Sequence, residues 1–100
     1  VVEAVVGHLR SLDGSGELFL EPVSVGLFVK RSGATVLQLR PMTKWVALMV
    51  VLPRLVRDPR ISRKPMVAGR KVWHVVNLRA AADVDDIVRG WITEAWETAA

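Results

Sequence analysis

The chain contains no cysteine, which excludes a disulfide framework and any zinc site built on thiolates. That absence fits a cytoplasmic protein. Long apolar runs are missing too. The longest uncharged one, residues 45–52, is far shorter than the roughly 20 residues a membrane-spanning helix needs, so no membrane partner is expected. The start carries an acid at Glu3 and lacks the basic segment that opens a signal peptide. It begins on Val1, and is read as a processed or truncated chain whose first helix has lost upstream residues. Internal repeats, low-complexity tracts and linker-like stretches are absent. The chain is therefore read as one domain, residues 1–100, large enough to bury a core without covalent staples.

Acidic residues are scarce in the middle of the chain. Residues 30–79 hold twelve Lys and Arg against a single acid, Asp58. The acids gather at the two ends: Glu3, Asp13, Glu17 and Glu21 before that segment, and Asp83, Asp85, Asp86, Glu94 and Glu97 after it. The net charge of +4 thus conceals a basic middle between acidic ends. Such a pattern either builds one positive face or is neutralised when the ends fold back.

What the chain has in excess is apolar residues, 51% of the total, arranged with clear periodicity. Val2, Val5, Val6, Leu9 and Leu12 recur at helical spacing and predict a helix over residues 1–12. Asp13-Gly14-Ser15-Gly16 ends it. A glycine-rich turn after a helix is in the wrong order for a phosphate loop, which follows a strand and opens a helix. Strands are expected over residues 17–22, 25–30, 34–39, 44–52 and 71–78. Pro22 cannot donate to a ladder, which places the first of these at an edge. Arg31-Ser32-Gly33 reads as a hairpin turn. In the third strand, Val36 and Gln38 are expected on one face and Thr35, Leu37 and Leu39 on the other. The fourth strand is apolar on both faces, as a central strand should be: Trp45, Ala47, Met49 and Val51 alternate with Val46, Leu48, Val50 and Leu52.

Residues 53–70 carry three prolines and six basic residues and read as a long irregular loop. The closing segment puts Val84, Ile87, Val88, Trp91, Ile92 and Ala95 on one helical face. Asp83 is the expected N-cap, with Asp85 and Asp86 in the first turn where carboxylates suit the helix dipole. Gly90 is expected where this helix approaches the sheet closely. Trp96, off the main stripe, is expected to be exposed. The fold class is therefore α+β: an antiparallel sheet of about five strands flanked by an N-terminal and a C-terminal helix.

The segments GLFVKRSGATVLQLRPMTKWVALMVVLPR, GRKVWHVVNLR and DVDDIVRGWITEAW resemble the bacterial domain of unknown function 5655. The most specific parts are Trp73-His74 and the set Asp85, Asp86, Arg89, Gly90 and Trp91. The resemblance covers roughly residues 17–96 and implies an antiparallel sheet with a helix at each end, distantly similar to small frataxin-like domains. It supplies no activity, because that family is named for lacking one. The chain departs from the family's pattern at Ala80-Ala81-Ala82, where such domains often show a serine-proline helix start.

Candidate chemistry is sparse. No serine or cysteine stands in a nucleophile motif, and no cofactor is implied. His8 and His74 have no ligand spacing that would build a metal site. His74 is expected on a strand face shared with Val72, Val76 and Leu78, and is the one candidate for a ligand or enzymatic site between loop and sheet. Arg54, Arg57, Arg60, Arg63, Lys64, Arg70 and Lys71 form the strongest functional lead, an anion-binding loop for phosphates or nucleic acid. Base stacking has little support, since no aromatic lies between Trp45 and Trp73. The expected function is a non-catalytic binding or interaction module with the basic loop as contact surface; the alternative is a small-ligand or enzymatic site at His74. With only two helices for one sheet, an apolar face is expected to remain, and a homodimer would bury it. The loop is expected to cover part of that face through Leu55, Val56, Ile61, Met66 and Val67.

Overall fold

The computed structural model describes residues 1–61 and 65–99. Along the chain it contains α1 (Val2–Leu12), β1 (Leu18–Val23), β2 (Gly26–Arg31), β3 (Ala34–Pro41), β4 (Val46–Leu52), β5 (Met66–Ala68), β6 (Lys71–Leu78), a 3-10 turn (Ala81–Asp83) and α2 (Asp86–Thr98). The strands form one antiparallel sheet in the order β1-β2-β3-β4-β6-β5. The α+β architecture expected from periodicity is the architecture found. The expected edge strand with Pro22 is an edge strand, and β4 is internal.

The sixth strand lies inside the segment expected to be irregular. β5 is three residues long, too short for a period to be read, and it exists because β6 offers it a ladder. Ile61 makes a single antiparallel bridge to Val76 on the same edge of β6. The hairpin between β2 and β3 turns on Ser32 and Gly33, both at positive φ (49° and 87°). That is the left-handed pair a tight two-residue hairpin requires. Gly26 is needed for a different reason: a Cβ there would collide with the Leu39 carbonyl oxygen.

Both helices pack on one face of the sheet. The core on that side joins Val5 and Leu9 of α1 to Val88, Trp91, Ile92, Ala95 and Trp96 of α2, over Val29, Leu37, Leu39, Leu48, Val50 and Val76. The register places Leu48 against Val76 and Val50 against His74, so alternate residues of β4 and β6 face the helices. A bulge between Val29 and Lys30 breaks the alternation in β3. Leu37 stays opposite Val29 and Thr35 moves opposite Lys30, with Val36 left over between them. Val36 and Leu37 are consequently both fully buried. Thr35 does not share a face with Leu37 and Leu39 as simple alternation suggests.

Four expectations about α2 are corrected. The N-cap is Asp85, whose carboxylate accepts the backbone N–H groups of Ile87 and Val88. Asp83 instead closes the 3-10 turn by accepting from the N–H groups of Arg79 and Ala80. Ile87 lies at the rim of the stripe and is 54% exposed, whereas Trp96 is only 3% exposed. Trp96 is covered by Arg31, whose guanidinium lies 4.8 Å from the ring centroid and donates from Nη1 to the Trp96 carbonyl oxygen at 2.8 Å. Gly90 is exposed and has nothing within 4 Å of a Cβ position, so no close approach to the sheet explains it.

Candidate functional site

The basic loop leaves β4, crosses the helix side of the sheet and reaches the far edge of β6. Val56 and Ile61 pack against the core there, so the loop does not fold over the opposite face as expected; only Met66, in β5, lines that face. The crossing is pinned at several points. The Val56 N–H donates to His74 Nε2 at 2.9 Å. Arg54 makes a two-pronged pair with Glu94 of α2, at 3.0 and 2.9 Å. Arg60 reaches both Asp58 at 3.1 Å and the α2 cap Asp85 at 2.7 Å, and its guanidinium lies over the Trp91 ring at 5.3 Å.

These contacts sort the expected anion-binding residues. Arg54 and Arg60 are occupied by the chain's own carboxylates. The hydrogen bond and charge of Glu94 push Arg54 further up from its ordinary value, and Asp58 does the same for Arg60. Reciprocally, Arg60 holds Asp58 below the usual carboxylate range. Asp85 is lowered first by the Val88 N–H and then by Arg60. Lys71 donates to the Thr98 carbonyl at the end of α2. Arg57 and Arg70 are exposed and have no ion pair among the described residues. Arg63 and Lys64 lie outside the described residues. The acidic helix thus folds back onto the basic loop and neutralises part of it.

His74 does lie between loop and sheet, but it is fully buried. Its Nε2 accepts from the Val56 N–H, so the neutral ring carries its proton on Nδ1, which has no hydrogen-bond partner among the described residues. Burial pushes the imidazole below its ordinary value, with the Val72 and Val50 carbonyls opposing the shift. The hollow beside it, of about 240 Å³, is lined by loop residues such as Leu55, Arg57 and Asp58 and not by His74. The geometry describes a histidine that fastens the loop to the sheet.

Among the described residues no helix packs on the other face of the sheet, where Ala47 and Val51 are nonetheless buried among their strand neighbours. Along β4 this face presents Ala47, Met49 and Val51 and along β6 Trp73, Val75 and Asn77, paired across the ladder. Trp45 precedes β4 at the level of Arg79. A groove of about 300 Å³ runs over Trp45, Ala47, Met49, Trp73, Val75 and Asn77, with Met42, Met66 and Arg40 also lining it. Six strand positions separate Trp73 from the level of Trp45, about 20 Å at the usual rise per residue. The Arg79 guanidinium lies over the Trp45 ring at 5.7 Å. Neither Arg40 nor Arg79 has an ion pair among the described residues. Among the described residues, no carboxylate lines the groove. Glu21, on the same face of β1, is already paired with Lys30 at 3.1 Å.

The sequence separated the Trp45-Ala47-Met49-Val51 row from the Val46-Leu48-Val50-Leu52 row but left open which of them faces away from the helices, and did not show the pairing of the first with Trp73 and Val75. The two tryptophans are far apart in the chain, and the strand between them in sequence, β5, is placed beyond β6 at the sheet edge. The legible signal was that residues 71–78, like β4, keep large apolar groups on both faces.

Comparison with protein-family models, with curated proteins and with solved structures returns no match. Among the described residues, no helix is long and apolar enough to cross a membrane.

Proposed function

We propose that this chain is a non-catalytic binding module, and that its contact surface for an anionic partner is the helix-free face of the sheet. One observation carries the reading: both helices and loop residues such as Val56 and Ile61 pack on one side, while the other side keeps an apolar groove lined by Arg40, with Arg79 beside it over Trp45, and neither arginine has a carboxylate partner among the described residues. An exposed groove of this kind, edged by cations, is the usual mark of an interaction site. The loop contributes less than its composition suggests, because Arg54 and Arg60 are held by Glu94, Asp58 and Asp85. Among the described residues, Arg57 and Arg70 are the loop cations left to extend the positive surface. The absence of cysteine supports a cytoplasmic setting.

A second copy of the chain is the other occupant suggested by the uncovered apolar face. A two-fold contact needs a self-complementary surface. Among the described residues this face has cations but no unpaired carboxylate to meet those of a second copy, which favours an anionic partner over a homodimer.

Poly-L-glutamate serves as the test ligand. The wild-type protein should bind it with a steep salt dependence, as charge-dominated contacts do. Reversing Arg40 and Arg79 to Glu should abolish that binding, while reversing Arg57 and Arg70 should leave most of it. The opposite ranking moves the contact to the loop, and no wild-type binding refutes the reading.

A further inference from the structure

Resting on that reading, we infer that the occupant of the free face is an amphipathic α-helix of a partner protein, apolar along one stripe and acidic at one end. The dimensions come first. The groove floor is about 20 Å long, which a helix covers with roughly 13 residues. Its width is set by β3, β4 and β6, about 10 Å at the usual strand spacing and close to the diameter of a helix. The other side of the same strands already holds such an element: α2 has 13 residues, an acid in its first turn and one apolar stripe, and packs across β3 and β4.

The lining decides the chemistry. All three methionines of the chain, Met42, Met49 and Met66, lie in this one groove. Unbranched thioether side chains adapt to aliphatic and aromatic residues of varied shape, and are favoured at surfaces that receive helices. Arg40 and Arg79 gather at the Trp45 end, since Arg40 pairs across β3–β4 with Ala47 and Arg79 covers Trp45. The acidic end of the helix therefore lies over Trp45, and its apolar stripe runs toward Trp73.

A nucleic-acid strand fits less well. It needs cations that track the whole groove and open aromatic faces for its bases. Here Arg40, the one cation lining the groove among the described residues, stands at the Trp45 end, Arg79 already lies over Trp45, and Met66 stands opposite Trp73 in the ladder.

The test uses three probes: a synthetic helical peptide of about 15 residues with Leu and Phe at i, i+3, i+4 and i+7 and Glu in its first turn; its twin with Lys in place of Glu; and an oligothymidylate of similar length. Binding is followed calorimetrically against the wild type, Met49→Asp and the pair Arg40→Glu with Arg79→Glu, each checked for wild-type circular dichroism. The acidic peptide should bind the wild type. It should lose at least about tenfold in each variant, as central anchors and close charge pairs do on truncation or reversal. The Lys twin should bind at least about tenfold more weakly. Equal affinity for the twins, or indifference to both variants, overturns the inference. So does tighter binding of the oligothymidylate, or a concentration-dependent dimer that Met49→Asp dissolves. If poly-L-glutamate binds at Arg40 and Arg79 but the acidic peptide does not, the helix is refuted and the anionic face stands. If neither binds, both fall.

Discussion

Replacing Trp96 with alanine asks whether the two sides of the sheet differ as described. Trp96 is 3% exposed and packs among Val29, Leu37 and α1 in one buried cluster. Truncating a buried tryptophan costs about 3–5 kcal/mol, because the transfer loss is joined by a cavity. Arg31 modifies the figure. Its guanidinium lies over the ring and its Nε is buried without a partner. Removing the ring admits water to that nitrogen and recovers part of the cost of leaving it unpaired, about 1–3 kcal/mol. The expected net loss is therefore about 3 kcal/mol, at the lower end of the range for such truncations. Against a total of about 5–15 kcal/mol for a domain of this size, that is a large fraction. With a urea dependence of about 1.5 kcal/mol per molar, the unfolding midpoint drops by about 2 M. Trp45→Ala, on the free face, removes a half-buried ring and one exposed cation–π contact, and should cost about 1 kcal/mol or less. Urea titrations followed by far-ultraviolet circular dichroism compare the two. Equal midpoints for the two variants would refute the assignment of Trp96 to the core side and Trp45 to the open side.

Three further outcomes follow from the same structure. Gly90→Ala should raise the thermal midpoint, since Gly90 is helical, exposed and unobstructed and alanine is favoured there by about 0.5–1 kcal/mol; Gly26→Ala should lower it, because the added Cβ meets the Leu39 carbonyl, and the reverse order would contradict the geometry. Hydrogen bonds from Ser32, Ser15 and Arg31 pull the Glu17 carboxyl from 4.5 down to about 2. Its contribution is thus fully present above pH 4.5 and lost as pH falls toward about 2, so Glu17→Gln should show a shallower acid loss in urea midpoints than wild type. His74 is pushed below its ordinary value of 6.5 by burial, so the unfolded chain binds its proton first and stability falls as pH drops below 6.5; His74→Gln should lack that component, and identical pH profiles above pH 5 would show that the ring is not buried.

The elements that were legible in the sequence are those whose pattern is local. β6 spans the expected residues 71–78, and β4 shows its two apolar faces, because period-2 alternation needs no knowledge of the rest of the fold. The features that were not legible depend on distant partners. β5 exists because β6 offers an edge, the burial of Trp96 depends on Arg31, and the neutralisation of Arg54 depends on Glu94. Charge counting identified Arg54 and Arg60 as anion contacts because the carboxylates that occupy them come partly from α2, well away in sequence. The basic middle and acidic ends were nonetheless a true signal, since the ends do fold back onto the middle. The groove was partly legible: the two rows of β4 could be read, but which of them faces away from the helices, and its completion by Trp73 and Val75, required the packing and the strand order.

The four tryptophans offer the most direct test of the claim that the helix-free face is the contact surface. Trp45 and Trp73 border the groove, while Trp91 and Trp96 lie in the core on the opposite side. Their indole N–H signals can be followed one by one in a two-dimensional nitrogen–proton spectrum during titration with the acidic amphipathic peptide. The account predicts that the Trp45 and Trp73 signals move together with added peptide while those of Trp91 and Trp96 stay in place. Movement of Trp91 and Trp96 with Trp45 and Trp73 unchanged, or no movement of any of the four at saturating peptide, would contradict it.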